Sequence, residues 1–120
     1  LGGGGSPKYR SIQINAPKKG KLNIYMMSSN TENPRTVNLL DAYGNVISSI
    51  ENVTGSSLKK YEFSISSSGT YYITSSSSGL NVGCIDFQTD TTQITGDINS
   101  ANFHFCGSIG TASANSCASF

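Results

Sequence analysis

Residues 35–50 read RTVNLLDAYGNVISSI, and this stretch decides the fold. Val37 and Leu39 alternate with polar residues on a first arm, and Val46 begins a second arm of similar composition. Between the arms lies DAYGN, which contains the Asp, Gly and Asn residues that tight turns favour. The stretch therefore predicts a β-hairpin.

The same alternation of apolar and polar residues recurs along the chain in RSIQINA (10–16), KLNIYMM (21–27) and KKYEFSI (59–65), with polar turns between them. The side chains expected to share the buried faces of these segments are Ile12, Ile14, Leu22, Ile24, Met26, Tyr61, Phe63 and Ile65. Near the end of the sequence, TQITGDI and NFHFCG are also strand-like. A period of two with regular turns is typical of all-β domains. We predict an all-β fold, an antiparallel and jelly-roll-like β-sandwich of about eight to ten short strands with no significant helix.

The chain of 120 residues has room for a single domain with one modest core, so residues 1–120 are taken as one sandwich domain. Its net charge is +1 and only 12% of its residues are charged, which argues against general binding of nucleic acid. No stretch approaches the roughly 20 apolar residues that span a bilayer, so we expect no membrane insertion. No secretory leader is visible. Few charges and many hydroxyl side chains favour a mature, secreted, extracellular module.

Catalytic chemistry finds little support in the sequence. His104 is the one histidine and sits between two phenylalanines, no GxSxG motif occurs, and the carboxylates fall in turns or on strand faces without a motif. We therefore expect no enzyme activity and no cofactor. Asp86, Asp90 and Asp97 offer oxygens for a structural calcium ion, but their spacing matches no standard calcium loop, and solvated turn residues are the better interpretation.

Three cysteines, Cys84, Cys106 and Cys117, leave at least one thiol unpaired unless it pairs between chains. A disulfide between Cys106 and Cys117 would close a short loop, and one between Cys84 and Cys106 is the alternative. Each cysteine can equally be read as a small buried apolar residue.

Lys18, Lys19 and Lys21 cluster around the turn PKKGK, and Arg35 begins the hairpin. Lysine and arginine side chains suit carboxylate ligands, so these four residues are the candidate binding residues for an acidic polysaccharide. Tyrosine rings could stack on the sugars, and the candidates for this role are Tyr9, Tyr25 and Tyr43. Surface charges that serve only solubility remain the alternative.

Several spaced motifs point to a family. APKKGKLNIYMMSSN, RTVNLLDAYGNVI and LKKYEFSISSSGTYYITSSSSGLNVGCIDF resemble, in this order, the small β-sandwich modules attached to bacterial pectate lyases, which include pectin-binding carbohydrate-binding modules. The similarity covers roughly residues 10–87. It implies a non-catalytic β-sandwich that binds plant cell-wall polysaccharide, with pectin or a related polymer as its partner.

In that family pectin recognition depends on lysines. By the resemblance one lysine position corresponds to Lys19 in the KG turn, whereas the other two correspond to Ser119 and Ser75. Two of the three cationic positions are therefore lost, which weakens the expectation of pectin as the ligand and favours a different glycan or none.

Residues 88–120 resemble family elements that normally precede the first strand, so the chain resembles a cyclically shifted member. Three explanations fit: a circular permutant, one unit of a tandem array, or a subunit whose terminal strands complete a neighbour. The last is the alternative function, a structural subunit of an extracellular filament or tandem adhesin that self-associates through its terminal strands. Residues 1–7, the Gly-rich terminal segment LGGGGSP, are then a loop that the chain leaves open, with a cloning remnant as the other interpretation of the glycines.

Overall fold

The fold consists of two packed antiparallel β-sheets. The structure, a computed structural model, describes residues 1–7 and 9–89 in full and only the backbone of residues 93–96 and 103–106. In chain order the strands are β1 Ser11–Ala16, β2 Gly20–Ser28, β3 Arg35–Leu40, β4 Val46–Val53, β5 Lys59–Ile65, β6 Gly69–Ser75, β7 Leu80–Gln88, β8 Gln93–Gly96 and β9 Phe103–Cys106. No helix occurs in the described residues. The predicted all-β sandwich is confirmed.

The first sheet has the strand order β4-β3-β6-β1-β9 and the second has the order β5-β2-β7-β8. The predicted hairpin is present as β3 and β4, and the arms are closed by a turn at Asp41 and Gly44. Gly44 has φ +90°, a conformation that residues with a Cβ rarely adopt, so the turn explains the glycine of DAYGN. Of the strand-like runs near the end of the sequence, TQITGDI contains β8 and NFHFCG contains β9.

The core lies between the inner faces of the two sheets. Its fully buried large side chains are Phe63, Phe87, Ile12, Ile14, Leu22, Ile24, Met26, Leu39, Ile73, Leu80 and Ile85. Burying one such side chain contributes about 1.5–3 kcal/mol. Seven of the eleven lie in the alternating segments read from the sequence, so the alternation predicts most of this core. Tyr61 is partly buried and packs against this cluster. Val46 departs from the expected pattern because it begins the edge strand β4 and is exposed.

The described residues also bear on the cysteines. Cys84 on β7 is fully buried and takes part in a disulfide whose partner sulfur lies outside the described side chains. Cys106 and Cys117 have side chains outside the described residues too. A chain with three cysteines cannot hold both an intrachain bond at Cys84 and the predicted Cys106–Cys117 bond, so these two are mutually exclusive.

Candidate binding site at the lysine end of the sandwich

The turn between β1 and β2 carries three of the four candidate binding residues. Lys18 and Lys19 are exposed in the turn, and Lys21 is exposed on the first residues of β2. Gly20 lies between them at a point where β2 passes close to the end of β7. A Cβ at Gly20 would overlap the backbone oxygen of Gln88, so this close approach requires glycine.

An open depression of about 620 Å³ lies at this end of the sandwich. Its lining residues come from the β1–β2 turn, the end of β5 and the end of β7: Lys19, Gly20, Lys21, Ser64, Ile65, Ser66, Gln88 and Thr89. The depression therefore combines two ammonium groups with hydroxyl and amide side chains around one apolar residue. A volume of several hundred Å³ is in the range of small-molecule sites, and these groups can hydrogen-bond hydroxyls and attract a carboxylate.

The two lysines of the depression differ in their electrostatic partners. The Lys21 ammonium lies 3.4 Å from the Glu62 carboxylate, and both side chains are largely exposed, at 63% and 46%. Lys19 makes no ion pair within the part of the chain that the structure describes. Lys19 is thus the cation of the depression that has no competing protein carboxylate among the described side chains.

Lys18 is exposed in the same turn but does not line the depression. The tyrosines proposed for stacking are also elsewhere: Tyr9 lies under the Arg10 guanidinium at 5.2 Å, Tyr25 lies on β2, and Tyr43 lies in the β3–β4 turn. None of them lines the depression. The structure therefore brings Lys19 and Lys21 together without an aromatic platform.

Arg35 is placed at the opposite end of β2 and is 7% exposed. Its guanidinium donates to the Gly79 oxygen at 2.9 Å from Nε, to the Asn33 oxygen at 2.8 Å, and to the Ser29 hydroxyl at 3.4 Å. These acceptors belong to the loops that follow β2 and β6. The structure does not bring Arg35 together with the three lysines, because its side chain is buried and its donors are bonded to the protein.

Ser75 and Ser119 correspond to the two lysine positions that the resemblance implied to be lost. Ser75 is fully buried and donates its hydroxyl to the Ser78 oxygen at 2.5 Å, so this position does not reach the depression. Ser119 lies outside the described residues, as do the side chain of His104 and the proposed calcium ligands Asp90 and Asp97. Asp86 is half-buried on β7. Among the described side chains, no group of three His, Cys, Asp or Glu residues is placed to hold a metal ion.

The hydrogen-bonding residues of the depression, Ser64, Ser66 and Gln88, were missed by the sequence analysis. Ser64 and Gln88 join Lys21 through strand register, because Lys21 pairs with Ser64 on β5 and with Gln88 on β7, and Ser66 directly follows the end of β5. Only this register could have indicated Ser64 and Gln88 as site residues. It cannot be read from the sequence alone, because it depends on which strands are neighbours in the sheet.

A comparison of the sequence with protein-family models finds no match. A comparison with curated proteins also finds no similar protein. The resemblance to pectate-lyase modules therefore stays a prediction. Within the described residues, no helix is long and apolar enough to cross a membrane.

Proposed function

We propose that the protein is a secreted, non-catalytic carbohydrate-binding module that holds an acidic polysaccharide, pectic or related, in the depression at the lysine end of the sandwich. The single observation that carries the proposal is the pairing of Lys19, exposed and without an ion pair among the described side chains, with a depression of about 620 Å³ lined by hydroxyl and amide groups. An ammonium suits a uronate carboxylate, and the neighbouring groups suit sugar hydroxyls.

The mode of binding is one of weak, exposed charge contacts. Exposed ion pairs contribute about 0–1 kcal/mol each and are screened by salt, so one or two lysines give low affinity for a single sugar. A polymer presents many uronates to the same site, and several modules on one protein would raise the apparent affinity.

Affinity gel electrophoresis with homogalacturonan in the gel tests the proposal. We expect retardation of the wild-type protein at low salt, less retardation at high salt, and no retardation by a neutral galactan. Lys19→Ala should weaken retardation about twofold to fivefold because it removes the cation without an ion pair. Lys18→Ala is the matched control, since Lys18 is equally exposed in the same turn but does not line the depression.

If Lys19→Ala still binds homogalacturonan and Lys18→Ala does not, the polysaccharide binds to the turn and not to the depression. If no acidic polysaccharide retards the wild-type protein, the proposal of pectic binding is wrong. The alternative function, a subunit assembled by strand exchange, is favoured by a separate observation at the N-terminal segment.

A further inference from the structure

Residues Leu1–Gly5 lie along a groove of their own domain. We name this the acceptor groove and define it by Arg10, Ser75, Ser78 and Leu80. The Leu1 nitrogen donates to the Leu80 oxygen at 2.8 Å, and the Leu80 nitrogen donates to the Leu1 oxygen at 2.8 Å. The contact is thus a two-way backbone pairing of the kind found between β-strands.

Two backbone contacts and one side-chain hydrogen bond hold the residues that follow Leu1. The Gly4 nitrogen donates to the Ser75 oxygen at 3.0 Å, Gly3 forms a parallel bridge with Ser75, and the Arg10 guanidinium donates to the Gly3 oxygen at 3.2 Å. Leu1 packs its side chain against the main core. The groove therefore binds one apolar side chain and the backbone of the residues that follow it.

The groove also selects for glycine. A Cβ at Gly3 would overlap the backbone of Ser77 and Ser78, and a Cβ at Gly5 would overlap the Arg10 oxygen. Backbone atoms cannot move aside as a flexible side chain can, so alanine at either position forces the segment out of the groove. Gly2 differs, because its Cβ would meet only the flexible Arg10 side chain at 3.0 Å.

The segment leaves the groove through a short turn in which Ser6 and Tyr9 exchange two backbone hydrogen bonds of 2.9 and 3.0 Å. The backbone contacts of the segment at Leu80 and Ser75 do not involve this turn. The bonds at Leu80 and Ser75 require only an N–H or a C=O from the segment, which any copy of the segment provides.

We propose that the acceptor groove is a recognition site for the sequence Leu-Gly-Gly-Gly-Gly, and that a second copy of this chain can supply it. The segment of the same chain competes at an effective concentration in the millimolar range, so exchange between copies takes place at high protein concentration. Exchange of identical elements between protomers is a low-cost route to assembly. This assembly is independent of the lysine end and of glycan binding.

The test uses full-length Gly3→Ala, which expels its own segment, with full-length Gly2→Ala as the matched control. A fluorescent, N-acetylated LGGGGS peptide is titrated into each protein and anisotropy is measured. We expect saturable binding to Gly3→Ala and no detectable binding to the wild type or Gly2→Ala at peptide concentrations up to about 0.1 mM, well below the effective concentration of their own segment. The peptide LGAGGS should bind none of them. Equal binding of both peptides, or no binding to a folded Gly3→Ala protein, would overturn the proposal.

If circular dichroism shows that Gly3→Ala is unfolded, exchange of the segment is tested with the wild-type protein instead. Isotope-labelled and unlabelled wild-type copies are mixed at millimolar concentration, and nuclear Overhauser effects between the two kinds of copy are recorded. We expect cross-peaks between Leu1 of one copy and Leu80 of another. Their absence would exclude exchange of the segment.

Discussion

Basic residues lie beside both ends of strand β2, and they have opposite roles: Lys19 immediately precedes the strand, and Arg35, the first residue of β3, contacts the loop that follows it. At one end Lys19 is exposed beside a depression and makes no ion pair among the described side chains. At the other end Arg35 is buried and donates to Gly79, Asn33 and Ser29. A cation that the protein already surrounds with acceptors stabilises the fold, whereas a cation left in solvent is free for a ligand. Residue type alone does not distinguish these roles.

The largest effect is expected from Arg35→Ala. The substitution leaves the Gly79 and Asn33 oxygens without the charged donor they now have, and we expect a loss of about 3 kcal/mol in the free energy of unfolding. Urea denaturation measures it. Retardation by homogalacturonan should be unchanged under conditions where the variant is folded.

Lys19→Ala is the converse variant and should change the free energy of unfolding by less than about 0.5 kcal/mol. A stable Arg35→Ala protein that no longer binds polysaccharide would reverse the roles assigned to the two ends.

Glycines at the two ends give a second comparison with a smaller expected effect. Gly20→Ala places a Cβ against the Gln88 backbone, whereas Gly79→Ala places one 2.7 Å from the Ser29 hydroxyl, a side-chain atom that can rotate away at the cost of its hydrogen bonds with Gly79 and Arg35. We expect Gly20→Ala to cost about 1–3 kcal/mol and to weaken polysaccharide binding, since it separates β2 from β7 beneath the depression. Gly79→Ala should cost less and leave binding intact. Similar losses in thermal denaturation would mean that the loop after β6 is as rigid as the β2–β7 contact.

Strand positions could be predicted from the sequence because each strand carries its own signal. Ile12 and Ile14 are both fully buried as their spacing predicts, and Asp41 and Gly44 form the turn that DAYGN predicts. The alternation of apolar and polar residues is a local property of each strand, so it does not depend on which strands are neighbours in the sheet.

The candidate site could be predicted only in part. Lys19 and Lys21 share a turn, and proximity in sequence is enough to group them. The role of Arg35 could not be predicted, because its acceptor Gly79 lies 44 residues away and is brought near by the sheet order. The sequence predicts an open loop for the Gly-rich segment, whereas the structure places it in the acceptor groove through backbone contacts with Ser75 and Leu80, which are distant in the sequence.

Within the lysine end, Glu62 offers a finer comparison. Its carboxylate pairs with Lys21 at 3.4 Å and so competes with any anionic ligand for that ammonium. Glu62→Gln removes the competing charge, and we expect affinity for homogalacturonan to rise about twofold to threefold at low salt, with the gain lost at high salt. Affinity electrophoresis at two salt concentrations measures this. Glu51→Gln, an exposed carboxylate on β4, is the control for net charge. An equal gain from both variants would assign the effect to overall charge instead of Lys21.

The smallest effect, on the melting temperature at acid pH, is expected at Asp41. This residue lies in the β3–β4 turn and pairs with neither Lys19 nor Arg35, so it tests whether the hairpin turn contributes acid sensitivity. Hydrogen bonds from Asn45, through its backbone and side chain, and from the Tyr43 backbone hold the pKa of Asp41 below its usual value of 3.8. Because the folded pKa is the lower one, the stabilisation is complete above the unfolded pKa and is lost as the pH falls through the folded pKa. We expect the melting temperature of the wild type to fall below about pH 4 more steeply than that of Asp41→Asn, which cannot titrate. Parallel curves for the two proteins would show that the turn contributes no acid sensitivity.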